Sequence, residues 1–258
     1  MHLHLFAYFY GMKAASKEAW FERWFDSPHY HTLYKHRDEH EARYFIENLI
    51  HHLKPPANAN MLDLACGRGR HSKFLHELGF RVTGVDLSPA SIEYAQQFAA
   101  EGLQFEVHDM RNTLCSNMYD YVFNLFTSFG YFDSDYENLR AIDTMATALN
   151  RGGILVLDYL NAGLIANQKQ ITEEKTIDGL HFTIRRYVAN KHVVKDIVVS
   201  FADAVSHFSE HVELLQKEDF ERYFSEVGLS IEACFGDYDL NQYNPAASPR
   251  LIFIARKK

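Results

Sequence analysis

An α/β fold, a mostly parallel sheet with helices on both faces, is the architecture this sequence predicts. Two observations predict it. From residue 60 onward, apolar runs of strand length alternate with segments of helical period. The runs are apolar almost throughout instead of alternating with polar residues, as strands covered on both faces are.

The elements follow in order. Ser16 to Leu53 has helical spacing, carried by Trp20, Phe21, Trp24 and Phe25 and then by Ala42, Phe45, Ile46, Leu49 and Ile50. "DSPHY" interrupts it with a proline, and "KPPANAN" is a linker that stops the second helix. "MLDLA" reads as a strand and "GRHSKFLHELG" as a helix closed by Gly79. "FRVTGVDLS" is a strand, and the helix after it has Ser88 as N-cap, Pro89 at its first position and Gly102 beyond its end. "LQFEVHD" and "YDYVFNLF" are strands, "YENLRAIDTMATALN" a helix and "GGILVLDYL" the fifth strand. "LHFTIRRYVA", "KHVVKDIVVSFA" and "VSHFSEHVELL" then follow without helices, an antiparallel insertion. "KEDFERYFSEVG" is a helix, and "LSIEACFGDY" and "SPRLIFIARK" are the last strands. The division expected is a leader (1–12), a helical lid (13–57), the core (58–159), the insertion (160–215) and a closing helix and strands (216–258).

Bulk properties narrow the function classes. The chain of 258 residues is 47% apolar and 23% charged, with a net charge of −8, and its Lys and Arg form no runs. That argues against a broad nucleic-acid or anionic-membrane footprint. Cys66, Cys115 and Cys234 are far apart, so neither a disulfide framework nor a cysteine zinc site is suggested, and a cytoplasmic setting fits best. No apolar stretch is long enough to span a bilayer, and "MHLHLFAYFYGM" lacks a basic start and a signal cleavage site. "HRDEH" at 36–40 matches H-x-x-E-H, but no supporting metal-site context accompanies it, and no metal is expected.

The chemistry concentrates in "LDLACGRGRHSKFL", residues 62–75. A tight turn after the first strand points backbone N–H groups outward at a helix N-terminus, where the strand order reverses and a crevice opens. Gly67 and Gly69 allow close approach or positive φ, and Asp86 ends the second strand where an acid accepts from ribose hydroxyls. Dinucleotides and S-adenosylmethionine (SAM) both fit. The third glycine of the dinucleotide fingerprint is missing, and Asp63 suits an ammonium better than a pyrophosphate, which favours SAM.

"LDLACGRG", "VTGVDLS", "HDMR" and "RGGILVLDYL" together resemble, in order and spacing, the motifs of class I SAM-dependent methyltransferases. "HYHTLYKHRDEHEA" and "NLFTSFGYF" resemble a bacterial small-molecule branch of that family. The resemblance implies a seven-stranded sheet of order 3-2-1-4-5-7-6. It implies that Asp63, Ala65, Cys66, Gly67 and Gly69 hold the methionine end, with Arg70 and His71 in reach of its carboxylate. Asp86 would hold the ribose, with Leu87 against the adenine and Ser88 as a further cofactor-binding residue. Asp109 and Met110 would meet the adenine, and Asn124 and Leu125 would lie beside the sulfonium. Tyr34 would close over the cofactor, with Tyr30 and Arg43 as further cover residues. Family members that methylate amides or adenine N6 carry N/D-P-P-Y/F after the fourth strand. "NLFTSFGYF" stands here instead, which argues against those substrates.

On the acceptor side, Phe126, Phe129, Tyr131 and Phe132 are candidates to stabilise a cationic centre, and Tyr159 to line the pocket. Arg185, Arg186, Lys191 and Lys195 could present charge to an anionic substrate or form a homodimer contact, and Tyr238 and Arg250 border the same end of the sheet. The expectation is a methyltransferase for a small-molecule acceptor, with no general base identified. An RNA methyltransferase and a non-catalytic SAM-binding protein are the alternatives, and a dehydrogenase is more distant.

Overall fold

A computed structural model describes residues 19–35 and 39–258; the leader, His36 and the start of the lid lie outside them. The described chain opens with two short helices, α1 (Trp20–Phe25) and α2 (Pro28–Leu33), and a longer one, α3 (Glu39–Leu53). The "DSPHY" break is a helix start: the Ser27 hydroxyl accepts from the His29 N–H at 3.2 Å, and Pro28 takes the first position.

The core strands are β1 (Asn60–Leu64), β2 (Arg81–Asp86), β3 (Leu103–Val107), β4 (Tyr119–Asn124) and β5 (Leu149–Leu160). Helices α4 (Arg70–Glu77), α5 (Pro89–Ala95) and α6 (Asp135–Ala148) connect them. A short α7 (Ala162–Ile165) leads into β6 (Ile171–Ile177), β7 (Leu180–Ala189), β8 (His192–Phe201) and β9 (Ala204–Glu213). Helix α8 (Lys217–Glu226) and strands β10 (Leu229–Phe235) and β11 (Arg250–Lys257) end the chain.

The main sheet has the order β3-β2-β1-β4-β5-β11-β10, which is 3-2-1-4-5-7-6 when its own strands are counted. Its first five strands pair in parallel, and β11 runs antiparallel to both β5 and β10. Phe45, Ile46, Leu49, Phe74 and Leu75 of α3 and α4 pack on one face; Phe220, Tyr223 and Phe224 of α8 pack on the other with α6. The insertion is a second, fully antiparallel sheet, β6-β7-β8-β9. Its edge strand β6, "ITEEKTI", is one more than the sequence reading anticipates, because its residues carry no buried stripe to announce it. The inner face of this sheet buries Phe182, Ile184, Ile197 and Val199 against Trp24 and Leu33 of the first two helices. Among the described residues no helix is long and apolar enough to cross a membrane.

Candidate active site

A cavity of about 670 Å³ opens at the C-terminal ends of β1, β2 and β4, closed over by α1, α2 and the inner face of the second sheet. This is the crevice expected at the switch in strand order. Its floor is the turn after β1. Ala65, Gly67 and Gly69 all have positive φ, 66°, 55° and 79°, so the chain folds back sharply into α4.

The two glycines do different work. A Cβ on Gly67 would meet nothing within 4 Å, so this position leaves room for a ligand against the backbone. A Cβ on Gly69 would stand 2.7 Å from the Phe105 ring and 3.2 Å from Ala95. Gly69 is therefore a packing glycine that seats α4 on β3, and it does not line the cavity.

Asp86 is held on the cavity wall by two backbone donors, the N–H of Gly67 and that of Ser88, each at 2.8 Å. Burial pushes its carboxyl up, against those amides. Each oxygen keeps a second lone pair, the arrangement needed to accept from a pair of hydroxyls. Ser88 is itself turned away: its hydroxyl caps α5 at the Ser91 N–H (3.0 Å) and donates to Asp26 (2.6 Å). Asp63 lies behind the turn, 1% exposed, with the Ser72 hydroxyl donating to it at 2.6 Å. Burial raises its carboxyl to about 6, assisted by the charge of Asp86 and opposed by Ser72 and Arg70. It supports the turn from below instead of reaching the cavity wall.

Ala65, Cys66, Arg70, His71, Leu87, Asp109, Met110 and Leu125 do line the cavity. Burial pushes the Cys66 thiol well up, so it is a small inert wall residue. Burial and the charge of Arg70 bring His71 down to about 3, and its neutral ring stacks on Phe126, centroids 4.9 Å apart. Burial alone would raise Asp109; its 2.8 Å ion pair with Arg111 overrides this and holds it below the usual carboxylate range. Asn124 is fully buried, its amide donating to the carbonyls of Leu64 (3.1 Å) and Ser128 (3.3 Å), so it braces the end of β4 without lining the cavity.

The loop after β4 is strained. Phe126 and Thr127 have φ of 59° and 60°, a conformation costly for an aromatic and a β-branched residue. The fully buried Asp158 carboxylate accepts from the Phe126 N–H at 2.7 Å and from Arg250 at 2.8 Å, and its carbonyl accepts from the Thr127 N–H at 3.0 Å. Sequence reasoning passed over Asp158; the missed signal is an acidic residue inside a buried strand.

Of the cover and acceptor-side candidates, Tyr30, Tyr34, Arg43, Phe126, Tyr131, Phe132, Arg186, Lys195 and Arg250 line the cavity, and Phe129, Tyr159, Arg185, Lys191 and Tyr238 do not. Tyr159 is fully buried with its hydroxyl on the Glu213 carbonyl, and it fills the space that Gly130 leaves open. Phe129 is in the core beside Tyr159 and Phe220. Tyr238 stacks on Phe45 (4.3 Å) and props Asp158 from outside the cavity. Arg185 points to the far face of the second sheet, paired with Asp196 at 2.7 Å. Arg186 and Lys195 are on the cavity side instead.

Phe25, His31 and Glu210 are among the lining residues that the sequence reading does not offer as site candidates. Glu210 accepts from Trp24 Nε1 (2.8 Å) and the Tyr34 hydroxyl (2.6 Å) and pairs with Lys195 (3.0 Å). Burial would raise its carboxyl; Lys195 and the other donors prevail and hold it below its ordinary value. Burial and Arg68 bring His31 down to about 4, despite Asp26.

A family profile described as "Methyltransferase domain" matches residues 56–228, from the linker before β1 to the end of α8. The chain belongs to the class I SAM-dependent methyltransferases. The match spans the Gly67 turn, Asp86 and the whole second sheet. One relative of this methyltransferase is a dTDP-3-amino-3,4,6-trideoxy-alpha-D-glucopyranose N,N-dimethyltransferase from Streptomyces venezuelae, 26% identical, the alignment covering 72% of this chain and 81% of the relative. Another is a glycine/sarcosine N-methyltransferase from Aphanothece halophytica, 26% identical over 93% of this chain and 89% of the relative. In fold it is similar to a SAM-dependent methyltransferase from Clostridium acetobutylicum, with a TM-score of 0.73, 18% identity and coverage of 88% and 95%.

The residues present fit SAM. The Asp86 carboxylate is pre-oriented at the cavity wall, Gly67 leaves space beside its backbone, and Leu87 and Met110 supply an apolar wall.

Proposed function

We propose that this methyltransferase acts on a small amine. The observation that carries the reading is the wall beyond the Gly67 turn. Phe25, Tyr30, Tyr34 and Tyr131 form one contiguous aromatic cluster, with ring centroids 5.0–5.2 Å apart along it, beside the ionised Glu210. Aromatic faces around a buried carboxylate favour a centre that becomes positive, as an amine nitrogen does when its bond to the incoming methyl carbon forms. The cavity size suits a cofactor and a small acceptor. Both relatives named above are N-methyltransferases, which supports the same reading.

SAM, when bound, supplies the activated methyl group. The chain's part is positional: Asp86 and the Gly67 turn fix one partner, the aromatic cluster fixes the other and excludes water, and α1 and α2 cover both. A neutral amine attacks through its lone pair, so the reaction does not require a base touching nitrogen. The three unpaired cysteines support a cytoplasmic setting.

The test is S-adenosylhomocysteine release from SAM with matched panels of primary amines, phenols and aliphatic alcohols. Amines should be turned over, and Asp86→Ala should abolish turnover along with SAM binding. Methylation confined to hydroxyl acceptors would overturn the amine assignment.

A further inference from the structure

We infer that the acceptor also carries an anionic group, a carboxylate or a phosphate, which Arg186 receives at the end of the cavity under the second sheet. The inference rests on the amine reading only for the identity of the acceptor's other end.

Three residues form one row across the inner face of that sheet. Arg186 is the register partner of Lys195, and Lys195 of Glu210. All three line the cavity. Like charges directly opposite each other in an antiparallel pair, about 5 Å apart at Cβ, destabilise a sheet. Glu210 relieves Lys195 alone, through the 3.0 Å pair, and Lys195 also donates to the Tyr34 hydroxyl at 2.9 Å. On its other side Arg186 faces Ile171, which offers no charge. The nearby Glu173 is paired with Lys175 at 3.1 Å.

Arg186 is thus a half-buried guanidinium with no ion pair, hydrogen bond or ring contact among the described residues. Its neighbour Arg185, on the outer face, is paired with Asp196. The row of two cations and one carboxylate leaves a net positive charge, and Arg186 is the member with all its donors unused. A planar fork of five N–H donors matches a carboxylate or phosphate oxygen pair, and a partly desolvated setting strengthens the bond. Such an anion would satisfy Arg186 and remove the like-charge conflict with Lys195.

The test has two arms, both on the full chain and with Arg186→Gln beside wild type. In the first, kcat/KM is measured for amine pairs that differ by the anion: glycine against glycinamide, and glucosamine 6-phosphate against glucosamine. A preference of at least 10-fold for the anionic member of one pair, lost in Arg186→Gln through KM, is expected; the pair that shows it identifies carboxylate or phosphate. In the second, acetate and inorganic phosphate are titrated calorimetrically into the protein saturated with S-adenosylhomocysteine. One should bind, about 10- to 100-fold more weakly to Arg186→Gln. An unchanged affinity for S-adenosylhomocysteine and an unchanged melting temperature would show that the variant is folded. Turnover of amines without an anion preference overturns the anion inference and leaves the amine reading intact. Arg186-dependent anion binding without amine turnover does the reverse. Anion binding that is absent, or equal in both proteins, overturns the inference whatever the first arm gives.

Discussion

Arg250 and Asp158 form a buried ion pair, Nη2 to Oδ1 at 2.7 Å, between β11 and β5, with the Asp158 side chain wholly inaccessible. The pair lies at the mouth of the strained loop: Arg250 also donates to the Thr127 hydroxyl at 2.9 Å, while Asp158 accepts from the Phe126 N–H. The closing strands are thereby coupled to the ring that stacks on His71 at the cavity floor.

Asp158→Asn should accordingly cost about 3–5 kcal/mol in urea unfolding, because it leaves Arg250 buried without its countercharge. Replacing both partners, Asp158→Leu with Arg250→Met, should restore much of that stability. Methyl transfer should stay low in the double variant, since the Phe126 N–H has lost its acceptor and the loop its restraint. Recovery of activity along with stability would show that the pair matters to the fold alone.

The two turn glycines should separate fold from ligand. Gly69→Ala pushes a Cβ into the Phe105 ring and Ala95 at positive φ, and should destabilise the protein by about 1–3 kcal/mol in thermal or urea unfolding. Gly67→Ala should weaken SAM binding in calorimetry with a smaller change in stability, because both positions carry the strain of a positive φ and only the Cβ at residue 69 also meets a clash. The reverse pattern would mean that the turn has been misassigned.

The division of labour between these glycines was not legible in the sequence, although the turn was. Glycine spacing and the acid at the end of β2 are local signals, whereas what a Cβ at residue 69 would strike is set by β3, some 35 residues away. The same limit explains the acceptor side. Arg185 and Arg186 are adjacent in a strand, so one faces the cavity and one the solvent, and register is fixed only by which face meets Trp24 and Leu33. Likewise Asp158 and Tyr159 alternate: Asp158 supports the loop, while Tyr159 turns to Phe129 and Phe220 in the core. Strand alternation was readable; its phase was not.

Asp63 should impose a distinctive pH dependence on the ligand-free protein. Its carboxyl titrates near 6 when folded against an ordinary 3.8, so between those values the folded state holds a proton that the unfolded chain has released. Its contribution to stability therefore falls as pH rises from about 3.8 to about 6 and is level above, a loss of up to about 3 kcal/mol at neutral pH. Asp63→Asn keeps an acceptor for Ser72 and removes the proton. The stability difference between variant and wild type, from urea unfolding at stepped pH, should grow in favour of the variant across that window. A difference constant from pH 4 to 7 would eliminate a buried, titrating Asp63.

Glu210 should show the opposite sign. Its folded value lies below the ordinary 4.5, so the stability it contributes is complete above that value and is lost as pH falls through the lower, folded one. Glu210→Gln should lower stability at neutral pH by about 1.5–3 kcal/mol, the range for hydrogen bonds to a charged group, and should remove this acid-side loss. The effect should extend beyond the strand. Trp24 of α1 and Tyr34 just after α2 both donate to Glu210, so the carboxylate is the anchor that holds the cover to the second sheet. With Gln in its place, Lys195 faces Arg186 without compensation, and the cover loses two charge-assisted bonds at once. KM for the acceptor should rise more than kcat falls, and Trp24 fluorescence should shift toward that of a solvated indole. A stable variant with unchanged fluorescence and KM would mean that α1 and α2 are held by apolar packing alone, through Trp24 and Leu33 against Phe182 and Ile197.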